Sequence, residues 1–464
     1  MKSIIKIAIF NLVAASSALT ANAQQTLNSA YFLDNFTYRH EMNPAFMGDT
    51  YVSIPIVGQL NISTRGNIGL ENFLFRTEKQ GLTTFMNPDI SANRFLGELN
   101  KDNNLSFNMK TSVLSTGFYG FGGYNTIGIN LHVNTGLNLP YDFFEFAKKG
   151  FQGNTQYNLK DLSVRAYSYA EVALGHSHKI NENLTIGAKL KLLVGAAYLD
   201  ANMEEMEIHL ANNKWTIRSH AKVNIAMKGA SFTQDSDGIV NGIDVESPGI
   251  GGLGFGMDLG ANYKFNEGVL KGLSLSAAIL DLGFINWSEN SIAYNEGSDF
   301  EFDGFNDIAI DNDGEGRKLE DQIDDLTDDL EKLYNVYTNG ETQTRKTTLA
   351  STLNLGASYA LPCYNKLNLG LLYSKHFDDI FSWQETRISA NINPTKWVGA
   401  GINYAFTSYG SSMGFVLNFH PTGFNFFIGT DYMLREVNSQ FIPLDSNANI
   451  SLGVNLILGK KITD

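Results

Sequence analysis

The chain has 464 residues, of which 43% are hydrophobic, and its formal net charge is −14 with a pI near 5.1. This acidic balance argues against a protein that binds the phosphate backbone of nucleic acids. The single cysteine, Cys363, excludes an intrachain disulfide and every multi-cysteine metal site.

Residues 1–23 have the features of a secretory signal peptide. Lys2 and Lys6 form its basic start, a short apolar stretch covers 7–15, and Ala-Asn-Ala at 21–23 is a small-x-small cleavage site. The apolar stretch is too short to span a bilayer, and no later run reaches about 18 apolar residues. We therefore expect cleavage after Ala23 and no membrane-spanning helix in the remaining chain.

Strict alternation of apolar and polar residues dominates the sequence after the signal peptide. In 184–196 one face has Leu184, Ile186, Ala188, Leu190, Leu192 and Val194, and the other has Thr185, Gly187, Lys189 and Lys191. The stretch 253–265 repeats this pattern, with Asp258 on its polar face. About sixteen such segments follow one another, each roughly the ten residues that a tilted strand needs to cross the hydrocarbon layer.

Three features favour a membrane barrel over a soluble sandwich, which alternates as well. The polar face is rich in Gly, Asn, Ser and Lys, as suits a wet or plugged lumen. Aromatic residues lie at strand ends, where membrane girdles form: Tyr263, Tyr359, Tyr373, Tyr404 and Tyr432. Connections also alternate in length, as in outer-membrane barrels with short periplasmic turns and long external loops.

The predicted connections give a topology. Short links are predicted at 123–125, 178–183, 211–213, 266–271, 361–365, 393–395 and 420–423, and longer ones at 67–104, 138–159, 229–250, 285–346 and 433–446. We predict an all-β fold, a transmembrane antiparallel β-barrel of about 14–16 strands over 51–464, with both termini in the periplasm. The expected location is the outer membrane of a Gram-negative bacterium, in contact with its lipid.

The predicted external loop 285–346 contains the most acidic stretch of the chain. Its second half has Leu319, Ile323, Leu326, Leu330, Leu333 and Tyr337 at spacings of a helical stripe, which predicts an amphipathic helix over about 318–338. Such a helix either folds over the barrel mouth or offers a docking surface or gate.

Acidic residues just before this helix resemble a calcium-binding loop. Asp311, Asp313, Glu315 and Glu320 have the required spacing around Gly314, although Ala309 stands where the first ligand belongs. Calcium binding is therefore a hypothesis, and no other cofactor is predicted. Neither a G-x-S-x-G elbow nor a phosphate loop is present, so the sequence predicts no enzyme.

The stretch 31–46, YFLDNFTYRHEMNPAF, resembles the N-terminal signature of an uncharacterised outer-membrane barrel family of the Bacteroidota. Its Asn43-Pro44-Ala45 core is similar to that of PorV/PorP-type barrels of type IX secretion and of FadL-type transporters. The stretches 254–260 and 281–287 fit the same uncharacterised family. In FadL-type proteins the segment before the first strand plugs the lumen, so the resemblance implies a plug or periplasmic segment at 24–50.

The candidate plug or gate residues are Asn35, Tyr38, Arg39, Asn43, Pro44 and Ala45. The alternative is that 43–45 only turns the chain into the first strand. The resemblance implies FadL-like passive uptake or binding of small hydrophobic compounds. A PorV/PorP-like role is the second possibility, as a non-catalytic scaffold that binds an envelope protein partner through loop 285–346.

Overall fold

A computed structural model describes residues 27–77, 81–150, 155–211, 214–295, 298–302, 335–364, 366–433 and 446–459. The predicted signal peptide, Asp311, Asp313, Glu315, Glu320 and 318–334 of the predicted helix lie outside the described residues. None of the helices in the described ranges is long and apolar enough to cross a bilayer.

Fourteen antiparallel strands form a closed barrel, which confirms the predicted fold class. The strands are β1 (Thr50–Ser53 and Leu60–Gly66), β2 (Asp102–Gly120), β3 (Gly123–Pro140), β4 (Ser163–Lys179), β5 (Leu184–Ala211), β6 (Lys214–Met227 and Gly252–Lys264), β7 (Leu273–Tyr294 and Ser298–Phe302), β8 (Thr342–Thr348 and Ser351–Ala360), β9 (Leu367–Phe377), β10 (Trp383–Thr395), β11 (Val398–Thr407), β12 (Gly410–Phe419), β13 (Asn425–Thr430) and β14 (Ala448–Gly459). β14 closes the barrel by pairing with β1, Thr50 opposite Gly459 and Leu60 opposite Leu452. Because no backbone edge is left open, such a barrel can stand in lipid.

Smaller elements lie in the segments that connect or interrupt the barrel strands. They are helices α1 (Ala92–Leu96) and α2 (Tyr141–Lys149), the hairpins Leu74–Thr77 with Gly81–Thr84 and Ala230–Gln234 with Val240–Val245, and the strand Thr155–Asn158. Short 3₁₀ turns lie at Asn28–Ala30, Arg39–Glu41, Leu70–Asn72 and Asp379–Phe381.

The alternation overestimates the number of strands at two places. Residues 203–210 continue β5 and do not form a strand of their own. The segments Lys214–Met227 and Gly252–Lys264 both pair with β5, on its outer and inner parts, so they are one barrel strand interrupted by 228–251. Alternation shows which face of the sheet a side chain lies on, but it does not show which strands pair. It therefore cannot reveal that two segments pair with the same strand.

The first and last residues of the barrel wall, Thr50 and Gly459, lie side by side at the same end of the barrel, which we call the inner end. The connections there run 121–122, 180–183, 265–272, 361–366, 396–397 and 420–424, and the longer ones lie at the opposite, outer end. This asymmetry is that of outer-membrane barrels, whose short turns are periplasmic. The link predicted at 211–213 is an exception, since it joins β5 and β6 at the outer end.

The bounds of the predicted loop 285–346 were wrong. β7 continues to Tyr294 and resumes at Ser298–Phe302, and β8 already begins at Thr342. The predicted end of the helix at 338 was wrong as well, because Tyr337 forms bridges with Ile239 and Tyr294. At 336 and 337 the helical spacing of apolar residues does not produce a helix, because Tyr337 pairs with β7 and Val336 is buried in an apolar cluster.

The strands place apolar side chains on the outside of the barrel and polar side chains inside it, which is the opposite of a soluble protein. On β5, Leu190 and Leu192 are 51% and 53% exposed on the outside, whereas Lys189 and Lys191 are 6% exposed and point into the lumen. On β6, Leu253 and Phe255 face outward and Asp258 is buried inside. An apolar exterior around a polar interior is the arrangement that lipid requires of a barrel.

The wall formed by β5 to β7 extends beyond the apolar band. The exposed large apolar residues of β5 end at Leu192, and its outer part exposes Glu204 and His209. There a cluster of apolar side chains, including Ile208, Ile217 and Phe300, is buried as in a soluble domain. The outer part of these strands therefore projects from the membrane into water.

This boundary can be tested with fluorescent labels on single cysteines. In a Cys363→Ser background, which removes the exposed native thiol, labels are attached at Leu190→Cys and Glu204→Cys in lipid vesicles. We expect lipid-attached nitroxides to quench the Leu190→Cys label and a water-soluble quencher to act on the Glu204→Cys label. Equal quenching at both positions would contradict the proposed boundary.

Candidate functional site

Residues 27–49 fold into the inner half of the lumen; we call this segment the plug. Its short turns bury Tyr31, Phe36 and Tyr38, which pack with the wall residues Tyr51 and Phe427. The chain then enters β1 at Thr50, so the plug is covalently continuous with the wall at its C-terminal side. The apolar cluster between plug and wall thus packs the inner half of the lumen in the way that a hydrophobic core packs the interior of a soluble protein.

Glycines in the wall allow the plug to lie in close contact with the strands. A Cβ added at Gly187 on β5 would collide with the backbone of Pro44, and one at Gly260 on β6 would collide with the Asn43 side chain. On β9 a Cβ at Gly370 would collide with the Phe32 ring. Glycines on the polar face of the alternating strands therefore mark where the plug is in close contact with the wall.

The predicted gate residues Asn43, Pro44 and Ala45 form a tight turn against β4 to β7. The Asn43 side chain accepts a hydrogen bond from the Ala45 amide at 2.9 Å and donates to the carbonyls of Ala261 and Ala277 at 3.2 and 3.3 Å. Ser177 donates to the Ala45 carbonyl at 3.2 Å. The triplet therefore both turns the chain and attaches it to three strands.

The other predicted gate residues hold the plug near β12 to β14 and brace it internally. Asn35 contacts His420, and its carbonyl accepts a hydrogen bond from Asn418 at 2.8 Å. The Tyr38 hydroxyl donates to Asn455 at 2.7 Å. Arg39 stays within the plug: it pairs with Asp34 at 2.6 Å, donates to the Tyr31 carbonyl, and stacks over the Phe46 ring.

Buried charges of the wall form a first network above the plug. Lys191 on β5 lies 2.8 Å from Asp258, 2.5 Å from Asp281 and 3.5 Å from Glu171. Asp281 reaches Lys191 from a bulge in β7, where its backbone is left-handed, with φ 59°. Charges buried to this degree are tolerated only when they are paired and hydrogen-bonded.

The plug contributes a buried ion pair of its own through Glu41. Its carboxylate lies 2.9 Å from Lys110 on β2 and accepts a hydrogen bond from Gln59 at 2.8 Å. Lys110 and Glu41 are both buried. Removing the plug would therefore leave Lys110 without this partner inside the lumen.

A second network holds the start of the plug. Asp431, directly after β13, accepts hydrogen bonds from the backbone amides of Asn28 and Ser29 at 3.0 and 2.7 Å and from the Ser29 hydroxyl. The Asn28 side chain donates to Glu385 on β10 at 2.7 Å. Arg387 balances both acids, 3.1 Å from Glu385 and 3.6 Å from Asp431.

Two adjoining cavities lie on the outer side of the plug. The inner cavity has a volume of about 90 Å³, and its lining includes Asn28, Glu41, Arg65, Lys110, His132, Asn134, Glu171, Lys189, Lys191, Asp281, Asp378 and Trp383. The vestibule, of about 320 Å³, is lined toward the outer end by residues including Arg165, Tyr198, Arg345, Lys346, Phe377 and Asp379. Tyr167 and Asp378 line both, so the vestibule is adjacent to the inner cavity, whose lining includes the plug residues Asn28 and Glu41.

The charged wall residues were not predicted as site residues. Lys189, Lys191 and Asp258 had been assigned correctly to the polar face. A charged residue at a lumen-facing position of an alternating strand is the signal that would also have identified Lys110 and Glu171. Tyr432 was wrongly predicted as a girdle residue: it is buried, and its hydroxyl donates to Glu385 at 3.2 Å. Across the described ranges, no group of three or more His, Cys, Asp and Glu side chains is arranged to hold a metal ion.

Comparison with protein families identifies the chain's family. The family of unknown function DUF5723 matches residues 44–431, which is most of the chain and includes wall strands β1 to β13. The chain belongs to this family. No curated protein matches its sequence, and the predicted relation to PorV/PorP-type barrels stays a prediction.

Solved barrels of similar fold include known transporters. The toluene transporter TbuX of Ralstonia pickettii is 8% identical, with 96% of this chain and 97% of that chain covered and a TM-score of 0.40. The toluene transporter TodX of Pseudomonas putida is 10% identical, with 94% of each chain covered and a TM-score of 0.37. A FadL homologue of Pseudomonas aeruginosa is 12% identical, with 94% and 100% covered and a TM-score of 0.42.

The attachment of the plug in this DUF5723 member can be tested at Glu41. Breaking a buried ion pair costs about 3–5 kcal/mol because one charge stays buried and unpaired, so Glu41→Gln should loosen the plug. We expect hydrogen exchange of 27–49 to rise by roughly tenfold or more. Glu145→Gln is the matched control, because its pair with Lys149 lies on the surface of α2 and is worth little. Unchanged exchange in Glu41→Gln would show that the pair does not hold the plug.

The vestibule should respond to pH through Asp378, in the connection between β9 and β10. Burial raises the pKa of Asp378 to about 6, although Arg165, 3.0 Å away, opposes this shift. Because the folded pKa lies above the unfolded value of about 3.9, the contribution of Asp378 to stability is greatest below that value and falls as the pH rises through about 6.

Thermal unfolding in detergent between about pH 4 and pH 8 checks this prediction. The midpoint of Asp378→Asn should fall less with rising pH than that of the wild type. Glu182→Gln, an exposed carboxylate in an inner turn, should follow the wild-type curve. Parallel curves for wild type and Asp378→Asn would contradict the assignment.

Proposed function

We propose that this protein is a passive outer-membrane channel for small compounds and that its N-terminal plug is the gate. The observation that carries the proposal is the succession of vestibule and inner cavity, which ends on the plug residues Asn28 and Glu41. Passage to the inner end requires these residues to move. A barrel that served only as a scaffold would have no need of an interior route.

The plug is attached in a way that suits a gate. Its contacts with the wall are ion pairs, hydrogen bonds and apolar packing, distributed over Glu41, Asn28, Ser29 and the 43–45 turn. The single cysteine, Cys363, allows no disulfide between plug and wall. Each attachment can therefore break and form again without covalent chemistry.

The cavities favour water-soluble cargo, since charged side chains line both. The hydrophobic cargo implied by the sequence resemblance stays a prediction. A different cavity of about 450 Å³ at the outer end suits it better, because Tyr404, Met413 and Met433 belong to its lining. Both kinds of cargo therefore belong in the functional test.

A scaffold is the second candidate. It is supported by the outer part of β5 to β7, which projects beyond the apolar band and exposes Glu204 and His209 to solvent. An envelope protein could bind this surface without any passage through the lumen. This reading requires a stoichiometric partner.

Conductance in planar bilayers tests the channel. Wild type should conduct poorly, whereas Glu41→Gln and Asp431→Asn, which loosen different ends of the plug, should each raise conductance and the uptake of small solutes into vesicles. Toluene uptake is measured in parallel for hydrophobic cargo. Glu145→Gln serves as control. If exchange shows a loosened plug while conductance and uptake stay at the wild-type level, the gate proposal is overturned, and a co-purifying stoichiometric protein would then support the scaffold.

A further inference from the structure

The inner cavity contains hydrogen-bond donors that have no hydrogen-bond partner among the described residues. On Arg65 the Nε and Nη1 groups make no hydrogen bond to a described residue, and the same holds for Nδ2 of Asn134. The ring nitrogens of His132 also make none, although Nε2 lies 3.6 Å from a carboxylate oxygen of Glu171, and one of the two nitrogens is a donor in the neutral imidazole. These three side chains are 2%, 6% and 2% exposed and line the same cavity. Buried donors without partners are costly, so such a group points to something that satisfies it.

Neighbouring strands bring these donors to one side of the lumen. Arg65 on β1 is opposite Ser106 on β2, Asn108 on β2 is opposite Asn134 on β3, and Lys110 is opposite His132. The three strands are consecutive in the wall, and alternate residues point inward. The donors therefore form a built patch and are not scattered over the lumen.

Aromatic rings hold the Arg65 guanidinium in place. It lies 3.4 Å over the ring of Trp383 and 5.1 Å from that of Tyr432, and Nη2 alone reaches Glu385, at 3.4 Å. Stacking fixes the plane of the guanidinium and leaves its edge open for hydrogen bonds. His132 is fixed in a similar way, stacked on Tyr169 at 4.5 Å.

The lining has the opposite charge balance from the whole chain. The chain has 48 acidic residues against 34 Lys and Arg. Asp378 lines both cavities, which together present seven cations and five carboxylates among the described residues. The lining of the two cavities therefore has more Lys and Arg side chains than carboxylates, although Asp258 and Asp200, which lie outside this lining, pair with Lys191 and Arg345.

We propose that the inner cavity binds the oxyanion group of a small, water-soluble organic anion, with Arg65 as its principal donor. Asn134 and His132 supply further donors, and the remainder of the molecule extends into the vestibule. The volumes of about 90 and 320 Å³ suit a compact anion and not a long acyl chain. This inference rests on the proposed channel function and names the class of its cargo.

Binding is tested by calorimetry on the refolded full-length chain in detergent, with succinate, the neutral analogue succinamide and inorganic phosphate as probes. Succinate should bind more tightly than succinamide, and Arg65→Gln should weaken succinate binding by about tenfold or more, since a charge-assisted hydrogen bond is lost. The matched control is Arg94→Gln, which removes the same charge from α1 outside the lumen and should leave succinate binding unchanged.

A second variant avoids the ion pairs of Arg65. Asn134→Asp places a carboxylate in the cavity at nearly constant volume, so it should repel succinate while the barrel still folds. Succinate binding unaffected by both variants, or binding of phosphate without succinate, overturns the proposal. Conductance distinguishes failure of this proposal from failure of the channel proposal. If Glu41→Gln opens the channel but succinate does not bind, the organic anion is overturned as cargo and the channel function stands.

Discussion

The pairing of charges inside the barrel is the constraint on which the rest of the structure depends. Lipid demands an apolar outer face, so alternation sends the polar residues of every strand inward, among them Lys110, Lys191 and Asp258. A lumen that holds so many charges needs partners for all of them. The wall supplies some, as in the contacts of Lys191 with Asp258 and Asp281. The plug supplies others through Glu41, so the plug completes the electrostatics of the barrel as well as filling its space.

The position of the inner cavity follows from where the plug ends. Toward the inner end, plug atoms satisfy the wall: Asn43 bonds the carbonyls of β6 and β7, and Tyr38 bonds Asn455. On the outer side of Glu41 and Asn28 no further plug residue lines the cavity, and there Arg65, His132 and Asn134 keep donors without a hydrogen-bond partner among the described residues. The same strand faces that contact the plug thus become, a few residues farther along, the lining of the inner cavity. The proposed gate and the proposed binding surface are therefore two parts of one polar face.

Alternation was sufficient to predict the strand faces, because a period of two fixes which residues share a face. The barrel itself was predicted only when the polar composition of one face, the aromatic strand ends and the unequal connection lengths were added. The plug residues 43–45 came from a family resemblance and not from the alternation. Pairs such as Lys110 with Glu41 or Arg387 with Asp431 could not be predicted, since they depend on the strand register and on how the plug folds. Asp281 shows a further reason: a left-handed bulge turns its carboxylate toward Lys191, and alternation contains no sign of a bulge.

The attachments of the plug differ in kind at its two ends, and this difference sets how it can open. Residues 43–49 are wedged against wall glycines, bonded to β4 to β7 and continuous with β1 at Thr50. Residues 28 and 29 are held by hydrogen bonds to Asp431 and Glu385, and Asn28 lies in the floor of the inner cavity. Moving 27–30 alone would uncover the cavity while the 43–49 wedge keeps its place. In the proposed channel, opening at one end would require fewer bonds to break than expulsion of the whole segment, so we propose the wedge as the hinge and the Asn28 end as the moving part.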